Sequence, residues 1–243
     1  MRTATLFRDD AYLRACEAQV VEVGPEGIVL DRTVFYPAAG GQPGDSGTLA
    51  AVSAGPIAIG ATVYAADGAA ILHVPAGGAA DLAAGMAVTA GLDWERRSRH
   101  MRMHSALHLL CSLIPYPVTG GSVGAEEGRL DFDIPDAGAV DRDALAEALN
   151  ALVAADHPIA TRWITDEELA GNPGLVRTMK VKPPTGSGRV RLVAIGADGA
   201  VDLQPCGGTH VRATGEIGPL AVTKIEKKGR QNRRVRIRFA EPA

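Results

Sequence analysis

Two pairs of side chains in the sequence have the types and the spacing of metal ligands. One pair is four residues apart in a segment of helical periodicity, and the other flanks a Gly-Gly-Thr loop far along the chain. Side chains at positions i and i+4 lie about 6 Å apart on one helix face, so both imidazoles can reach a single ion. Three imidazoles and one thiolate together favour zinc. We expect one zinc ion (Zn2+) per chain, held by His104, His108, Cys206 and His210.

Two further donors, His100 and Cys111, lie on the same predicted helix. The span from His100 to His108 covers about 12 Å, whereas zinc reaches only about 2 Å to each nitrogen, so these two cannot share one ion. Cys111 stands among leucines and is expected to be a small core residue. No glutamate lies between His104 and His108 to activate water as in a zinc peptidase, so a peptidase is not expected.

A basic segment stands out from a chain whose net charge is −3. Residues 224 to 238 hold eight basic side chains and one acidic side chain, so the positive charge is local. Such a cluster is typical of a surface that binds a polyanion such as nucleic acid. A charged strand pair is also an ordinary way to protect a sheet edge, and both interpretations stay open at this point.

The composition is typical of a globular protein of one large or two modest domains. The chain has 243 residues, 46% of them hydrophobic and only 4% aromatic. Charged residues interrupt the amino-terminal segment, so we expect neither a signal peptide nor a membrane span, and a cytoplasmic location. No Walker A or dinucleotide-binding motif is present, so no nucleotide cofactor is expected.

The first region, residues 1–91, consists of short apolar runs separated by glycines, among them QVVEV, GIVL, TVFY and MAVTAGL. Such runs at near-regular spacing predict a small antiparallel β-barrel or sandwich. The segment YPAAGGQPGDSGT, residues 36–48, contains too many glycines and prolines for a helix or a central strand. It is predicted to be an exposed loop.

The second region, residues 92–243, mixes helical and strand patterns, so the fold class is predicted to be α+β, with the small barrel-like domain first. A helix is predicted over residues 97–113, with Met103, Leu107, Leu110 and Ile114 on its buried face. A second helix is predicted over 141–154, and Thr165 with Glu168 predicts a capping box for a third. Strands are predicted at 189–195, 220–226 and 234–239, and a mobile loop at 183–188.

Several segments together resemble the editing domain of alanyl-tRNA synthetase. They are HSALH at 104–108, CGGTHV at 206–211, TGEIGP at 214–219 and NRRVR at 232–236. The glycine-rich loop is similar to a motif of the freestanding, medium-length AlaX-type proteins, which carry a small β-domain before the editing domain. Members of this family hydrolyse the ester bond by which serine or glycine is wrongly attached to alanine tRNA. At this length we expect a freestanding editing protein without an adenylating domain.

The resemblance implies a role for particular residues of this chain. The zinc ligands of the family fall on the four residues named above, and the polar side chain near the substrate amino acid falls on Thr119 in PVTGGSV. The implied partner is tRNA(Ala) charged with serine or glycine. Residues expected to contact substrate or tRNA are Gly40, Gly41, Gln42, Lys227, Lys228, Arg230, Asn232, Arg233 and Arg234.

Three alternatives stay open at the level of sequence. Four protein ligands close a zinc tetrahedron, and closed sites are usually structural. Either one ligand, Cys206 or His104, is loose or the ion expands to five ligands, or the ion arranges a pocket in which the vicinal ribose hydroxyl of the tRNA activates water. A non-catalytic, zinc-stabilised RNA-binding module would carry the same ligands, although the few aromatic residues disfavour base stacking. An editing hydrolase for threonine tRNA shares the HxxxH and CxxxH pattern, but the glycine-rich loop disfavours it.

Overall fold

The protein consists of two compact units, Met1–Ser98 and Arg99–Ala243. The computed structural model describes residues 3–51, 54–66, 68–77, 81–135, 140–179 and 188–240. No helix within these ranges is long and apolar enough to cross a membrane. Most of the loop predicted at 183–188 lies outside the described residues.

Most strands of the first unit close into one barrel. The described strands are β1 (Ala4–Thr5), β2 (Ala15–Gly24), β3 (Gly27–Leu30), β4 (Arg32–Thr33), β5 (Gly47–Ala51), β6 (Ala54–Tyr64), β7 (Ile71–Pro75) and β8 (Ala87–Leu92). The barrel order is β2-β3-β7-β6-β5-β8, and every neighbouring pair is antiparallel. Val20, Leu30, Leu49 and Val88 are among the buried side chains that fill it. The predicted small antiparallel barrel is confirmed.

One apolar run of the first unit, TVFY, is buried but is mostly not a strand. Only Thr33 belongs to a strand, β4, whereas Phe35 and Tyr36 follow without regular structure. Side chains satisfy their backbone N–H groups, because Phe35 donates to the Thr33 hydroxyl and Tyr36 donates to the Asp45 carboxylate. The apolar character of this run therefore predicted its burial correctly. Side-chain acceptors, one of them Asp45 in the following loop, bond the backbone N–H groups that a neighbouring strand would otherwise bond.

The second unit contains helices and two antiparallel sheets, as the α+β prediction requires. The helices are α1 (Trp94–Leu113), which begins in the first unit, α2 (Arg142–Ala154) and α3 (Asp166–Gly171). The strands are β9 (Val118–Ser122), β10 (Glu127–Asp133), β11 (Ile159–Ile164), β12 (Val190–Ile195), β13 (Asp202–Pro205), β14 (Leu220–Lys227) and β15 (Asn232–Phe239). One sheet has the order β14-β15-β10-β9, and the other has the order β11-β12-β13.

Helix α1 is buried along most of its length in the second unit. Two of its predicted core residues face β10 of the four-stranded sheet, where a side chain at Gly128 would meet Met103 and Leu107 at 2.8 and 3.2 Å. The absence of a side chain at Gly128 therefore lets the helix approach β10 closely. The capping box of α3 is confirmed, since Thr165 and Glu168 each bond the backbone N–H of the other.

Candidate metal centre

The four predicted ligands lie together inside the second unit. Their ligand atoms are all within 4.8 Å of one another, and the group includes neither His100 nor Cys111. The Cys206 Sγ atom is 3.6 Å from His104 Nε2 and 3.3 Å from His210 Nε2. Cys111 is a buried core residue, as predicted. The chain thus gathers one sulfur and three imidazoles around one point.

Two structural elements bring these ligands together. Helix α1 places His104 and His108 one turn apart, with ring centroids 5.3 Å apart. Cys206 follows directly after β13, and the loop it begins is held by Arg191 of β12. The Arg191 guanidinium donates to the Cys206 carbonyl at 2.8 Å and to the Gly208 carbonyl at 3.0 Å. The three-stranded sheet therefore fixes the loop that carries Cys206 and His210.

The ionisation of the cluster suits a cation. Burial alone would raise the pKa of the Cys206 thiol, but the neighbouring imidazoles of His104 and His210 hold that pKa well below its usual value. Burial, with the nearby charge of His104, lowers the pKa of His210 to about 3. Burial also lowers the pKa of His108, yet hydrogen bonds to Asp202 and Cys206 outweigh it and raise that pKa to about 10. These shifts favour the thiolate form of Cys206, and a protonated His108 would release its proton to bind a metal ion.

The donor set fits zinc. Zinc–nitrogen and zinc–sulfur bonds of about 2.0 and 2.3 Å place tetrahedral donor atoms about 3.5 Å apart. The two sulfur–nitrogen separations at Cys206 match that spacing. Because one thiolate and three imidazoles surround the point, the residues present are suited to a borderline-soft divalent ion.

Two side chains that the sequence analysis did not select complete the centre. Asp202 Oδ2 lies 2.7 Å from His108 Nδ1, and Ser105 Oγ lies 3.1 Å from His210 Nδ1. Both partners are buried. Ser105 lies next to a ligand in the sequence, which was the available signal, whereas nothing in the pattern around Asp202 marked it.

Comparison with known proteins identifies related chains. Residues 190–236 match the family described as Threonyl and Alanyl tRNA synthetase second additional domain, and residues 5–96 match tRNA synthetases class II (A). The alanyl-tRNA editing protein AlaX-M of Methanosarcina acetivorans is 35% identical over 96% of this chain and 97% of that protein. The AlaX-M of Saccharolobus solfataricus is 29% identical over the same shares.

The chain belongs to the AlaX-M family of alanyl-tRNA editing proteins. The alanine–tRNA ligase of Pyrobaculum neutrophilum is also similar, at 34% identity over 93% of this chain, which matches only 26% of that protein. The family predicted from HSALH, CGGTHV, TGEIGP, NRRVR and the glycine-rich loop is therefore confirmed.

The residue that the AlaX-M resemblance places near the substrate, Thr119, lies on β9. Its hydroxyl donates to the Asp131 carbonyl at 3.1 Å and accepts from Asn232 Nδ2 at 2.8 Å. The buried Asn232 Oδ1 has no hydrogen-bond partner among the described residues. A threonine hydroxyl has one donor and two acceptor positions, so Thr119 retains one lone pair.

The basic segment forms β15, the end of β14 and the turn between them. Arg233 is buried with Val235 and Ile237, and its guanidinium donates to the carbonyls of Gly229 and Asn232 in the turn. Arg234, on the other face, bonds both oxygens of Asp131 at 2.7 and 2.9 Å.

The remaining predicted contacts on this hairpin are exposed. Lys227, Lys228 and Arg230 all lie on the surface. Lys228 is 3.8 Å from Glu226, while Lys227 and Arg230 form no ion pair with any residue that the structure describes. The cluster is therefore divided, with arginines that stabilise the hairpin and cations that face solvent.

The glycine-rich loop of the first unit has an open end and a buried end. Gly40 and Gly41 are exposed and have positive φ angles of 57° and 84°, whereas Gln42 is buried. Further along, a side chain at Gly44 would overlap the Thr62 carbonyl oxygen. The Asp45 carboxylate is buried and forms an ion pair with the buried Arg97 guanidinium, which also donates to the Val34 carbonyl. This loop is exposed only in part, because its second half is tied into the first unit.

Proposed function

We propose that the chain hydrolyses the ester bond that links serine, or glycine, to tRNA(Ala), and that it spares alanyl-tRNA(Ala). The observation that carries this proposal is the largely buried group of one cysteine and three histidines in a chain of the AlaX-M family. The expected enzyme class, an aminoacyl-tRNA deacylase, agrees with that family. We place this activity in the cytoplasm, where aminoacyl-tRNA is used in translation.

The four ligands would hold one zinc ion. A bound zinc ion supplies a concentrated positive charge that polarises neighbouring oxygen atoms. Because His104, His108, Cys206 and His210 would supply all four ligands of a tetrahedral zinc site, we assign them a role in organising the pocket around the ester. Activation of the attacking water then falls to the vicinal ribose hydroxyl of the tRNA. Removal of that hydroxyl from the terminal adenosine should reduce hydrolysis of seryl-tRNA while zinc content stays at one per chain.

Thr119 would distinguish serine from glycine in the substrate. Its donor is engaged by the Asp131 carbonyl and one lone pair by Asn232, so the remaining lone pair can accept from a serine hydroxyl. Glycine offers no such group. Alanine also lacks the hydroxyl, so this hydrogen bond favours serine over alanine. A pocket that accepts glycine and spares alanine needs a limit on size as well.

The Thr119→Val variant tests this role, because valine has nearly the same shape without the hydroxyl. Loss of one hydrogen bond should lower kcat/KM for seryl-tRNA(Ala) about tenfold. Hydrolysis of glycyl-tRNA(Ala) by the same variant serves as the control and should stay near the parent value. An equal loss with both substrates would show that Thr119 only supports β9.

The exposed part of the basic hairpin would contact tRNA phosphates. Each phosphate contact that is lost should reduce the slope of log affinity against log salt by about 0.7 to 0.9. The Lys227→Ala, Arg230→Ala double variant should therefore reduce the slope by about 1.4 to 1.8. Arg234 is already bonded to Asp131, so Arg234→Gln is the matched control, and we expect its slope to change less.

The decisive experiment compares seryl-, glycyl- and alanyl-tRNA(Ala) with seryl-tRNA(Thr) as labelled substrates. Release of serine and glycine, with alanine retained on its tRNA, is the expected result. Binding of tRNA without release of any amino acid would instead identify a zinc-stabilised RNA-binding module. Serine released only from threonine tRNA would identify the editing hydrolase of the other branch.

A further inference from the structure

Each half of the metal centre carries a group that contacts a ligand of the other half. The helix half supplies His104 and His108, and the loop half supplies Cys206 and His210. Asp202, on the strand that leads into the loop, contacts His108 of the helix at 2.7 Å. Ser105, on the helix, contacts His210 of the loop at 3.1 Å and accepts from the Val211 N–H at 3.3 Å.

We infer that Asp202 and Ser105 are reciprocal positioning residues, which fix the two halves of the centre in the geometry that binds zinc. This inference rests on the proposed metal-dependent function. The inference concerns Nδ1 of His108 and Nδ1 of His210, the ring nitrogens that contact Asp202 and Ser105. An acceptor at Nδ1 keeps the proton there, so that Nε2 presents its lone pair to the ion.

The surroundings of Asp202 support a positioning role. It is only 6% exposed, and a buried carboxylate requires partners. Gln204 Nε2 donates to the same oxygen, Oδ2, at 2.8 Å, so the carboxylate is held by its own strand while it contacts the helix. The negative charge of Asp202, added to that of the Cys206 thiolate, balances the two positive charges of a zinc ion.

Ser105 completes the opposite link with a weaker, neutral contact. It is fully buried between the two ligands of α1, and its oxygen lies within reach of both the His210 ring and the backbone that follows it. The loop is therefore held at His210 by the helix, just as the helix is held at His108 by the strand before the loop. Neither half can rotate its ligand without breaking a hydrogen bond to the other half.

The test measures zinc affinity of the full chain by competition with a chelator at fixed pH. Asp202→Ala should weaken zinc binding about 10- to 100-fold, and Ser105→Ala should weaken it up to about tenfold. Asp202→Asn retains an acceptor oxygen and should recover most of the loss. Asp198→Asn, on the exposed surface, and Ser112→Ala, on the same helix, are the matched controls and should bind zinc as the parent does.

Two further measurements separate positioning from simple support of the fold. The melting temperature of the zinc-free variants shows whether the fold persists. Cobalt(II) in Asp202→Ala should keep its thiolate charge-transfer band, because Cys206 still binds, while its d–d bands change as the His108 ring moves.

The outcomes are distinct. Parent-like zinc affinity in both Asp202→Ala and Ser105→Ala would overturn the inference and leave the proposed function standing. A parent protein that binds zinc tightly but releases no amino acid would overturn the proposed function and leave the inference to be decided by the affinities. A parent protein that binds no zinc would overturn both.

Discussion

The two units bury polar side chains in opposite ways. In the first unit, Asp45 and Arg97 neutralise each other, and further carbonyls accept from the guanidinium. In the second unit, the inward-facing atoms of His104, His108, Cys206 and His210 are all suited to donate electron pairs to a cation. A buried polar cluster whose members pair with each other stabilises the fold. A buried cluster whose members all donate electron pairs is suited to bind a cation.

A similar contrast exists between single histidines of the two units. His73, in the barrel, is fully buried, and both ring nitrogens are occupied by Thr33 and the Ile28 carbonyl. His108 has one nitrogen on Asp202 and directs the other towards the donor cluster. Burial alone therefore does not identify a ligand. What distinguishes His108 is that its second ring nitrogen faces Cys206 within the group of metal-binding atoms.

The largest expected effect is loss of the metal from the second unit. Structural zinc contributes about 10–16 kcal/mol in small zinc-binding peptides, so His108→Ala and Cys206→Ala should lose stoichiometric zinc and with it the deacylase activity. Elemental analysis of the purified variants checks this, with Cys111→Ala as the control that keeps its zinc. Full zinc content in either ligand variant would show that the donors are different ones.

The next effect concerns the ion pair of the first unit. Removal of one member of a buried pair leaves the other charge without its partner, so Asp45→Ala should lower the free energy of unfolding by about 3–5 kcal/mol. Zinc content should remain one per chain. Urea unfolding with elemental analysis tests both points, and replacement of both residues by leucine and methionine should cost less than the single change. Loss of zinc from the folded Asp45→Ala variant would contradict the assignment of the ion pair to stability of the first unit alone.

A smaller effect is expected from pH acting on His73. Burial lowers the pKa of His73 to about 4, whereas the unfolded chain has a value near 6.5. Between these values the unfolded state binds the proton and the folded state does not, so stability is full above pH 6.5 and falls as the pH approaches 4. The total loss is about 3 kcal/mol.

The measurement for His73 is the free energy of unfolding at several pH values, in parallel with His73→Gln. The variant should lack this part of the pH dependence while the rest of the profile is shared. Identical pH profiles for the two proteins would mean that His73 titrates equally in both states.

The smallest stability effect is expected at the open end of the glycine-rich loop. Asparagine tolerates a positive φ, and no atom lies within 4 Å of the position that a Cβ would occupy at Gly40, so Gly40→Asn should cost less than about 1 kcal/mol. Gly44→Ala should cost more, because the Thr62 carbonyl blocks the added carbon. If Gly40 contacts tRNA, Gly40→Asn should reduce turnover at an unchanged melting temperature.

The sequence by itself determined much of the local structure. Periodicity predicted that Met103, Leu107, Leu110 and Ile114 are buried, as they are, and side-chain chemistry predicted the capping box at Thr165. The four candidate ligands could be predicted from the helical His pair and the CxxxH loop. The i, i+4 spacing and the two glycines of the loop each constrain only a few neighbouring residues. Features that depend only on residues close together in the sequence can be predicted without knowledge of the fold.

Only the tertiary structure decided which partners these residues have. Asp202 stands far from His108 in the sequence, Asn232 far from Thr119, and Asp45 far from Arg97, and each pair is joined by a contact between remote segments of the fold. The same limit applied to the basic segment, where alternation along β15 separated Arg233 from Arg234 but only the fold placed Asp131 opposite Arg234. Hydrogen bonds between remote residues depend on register and packing, which local residue types do not specify.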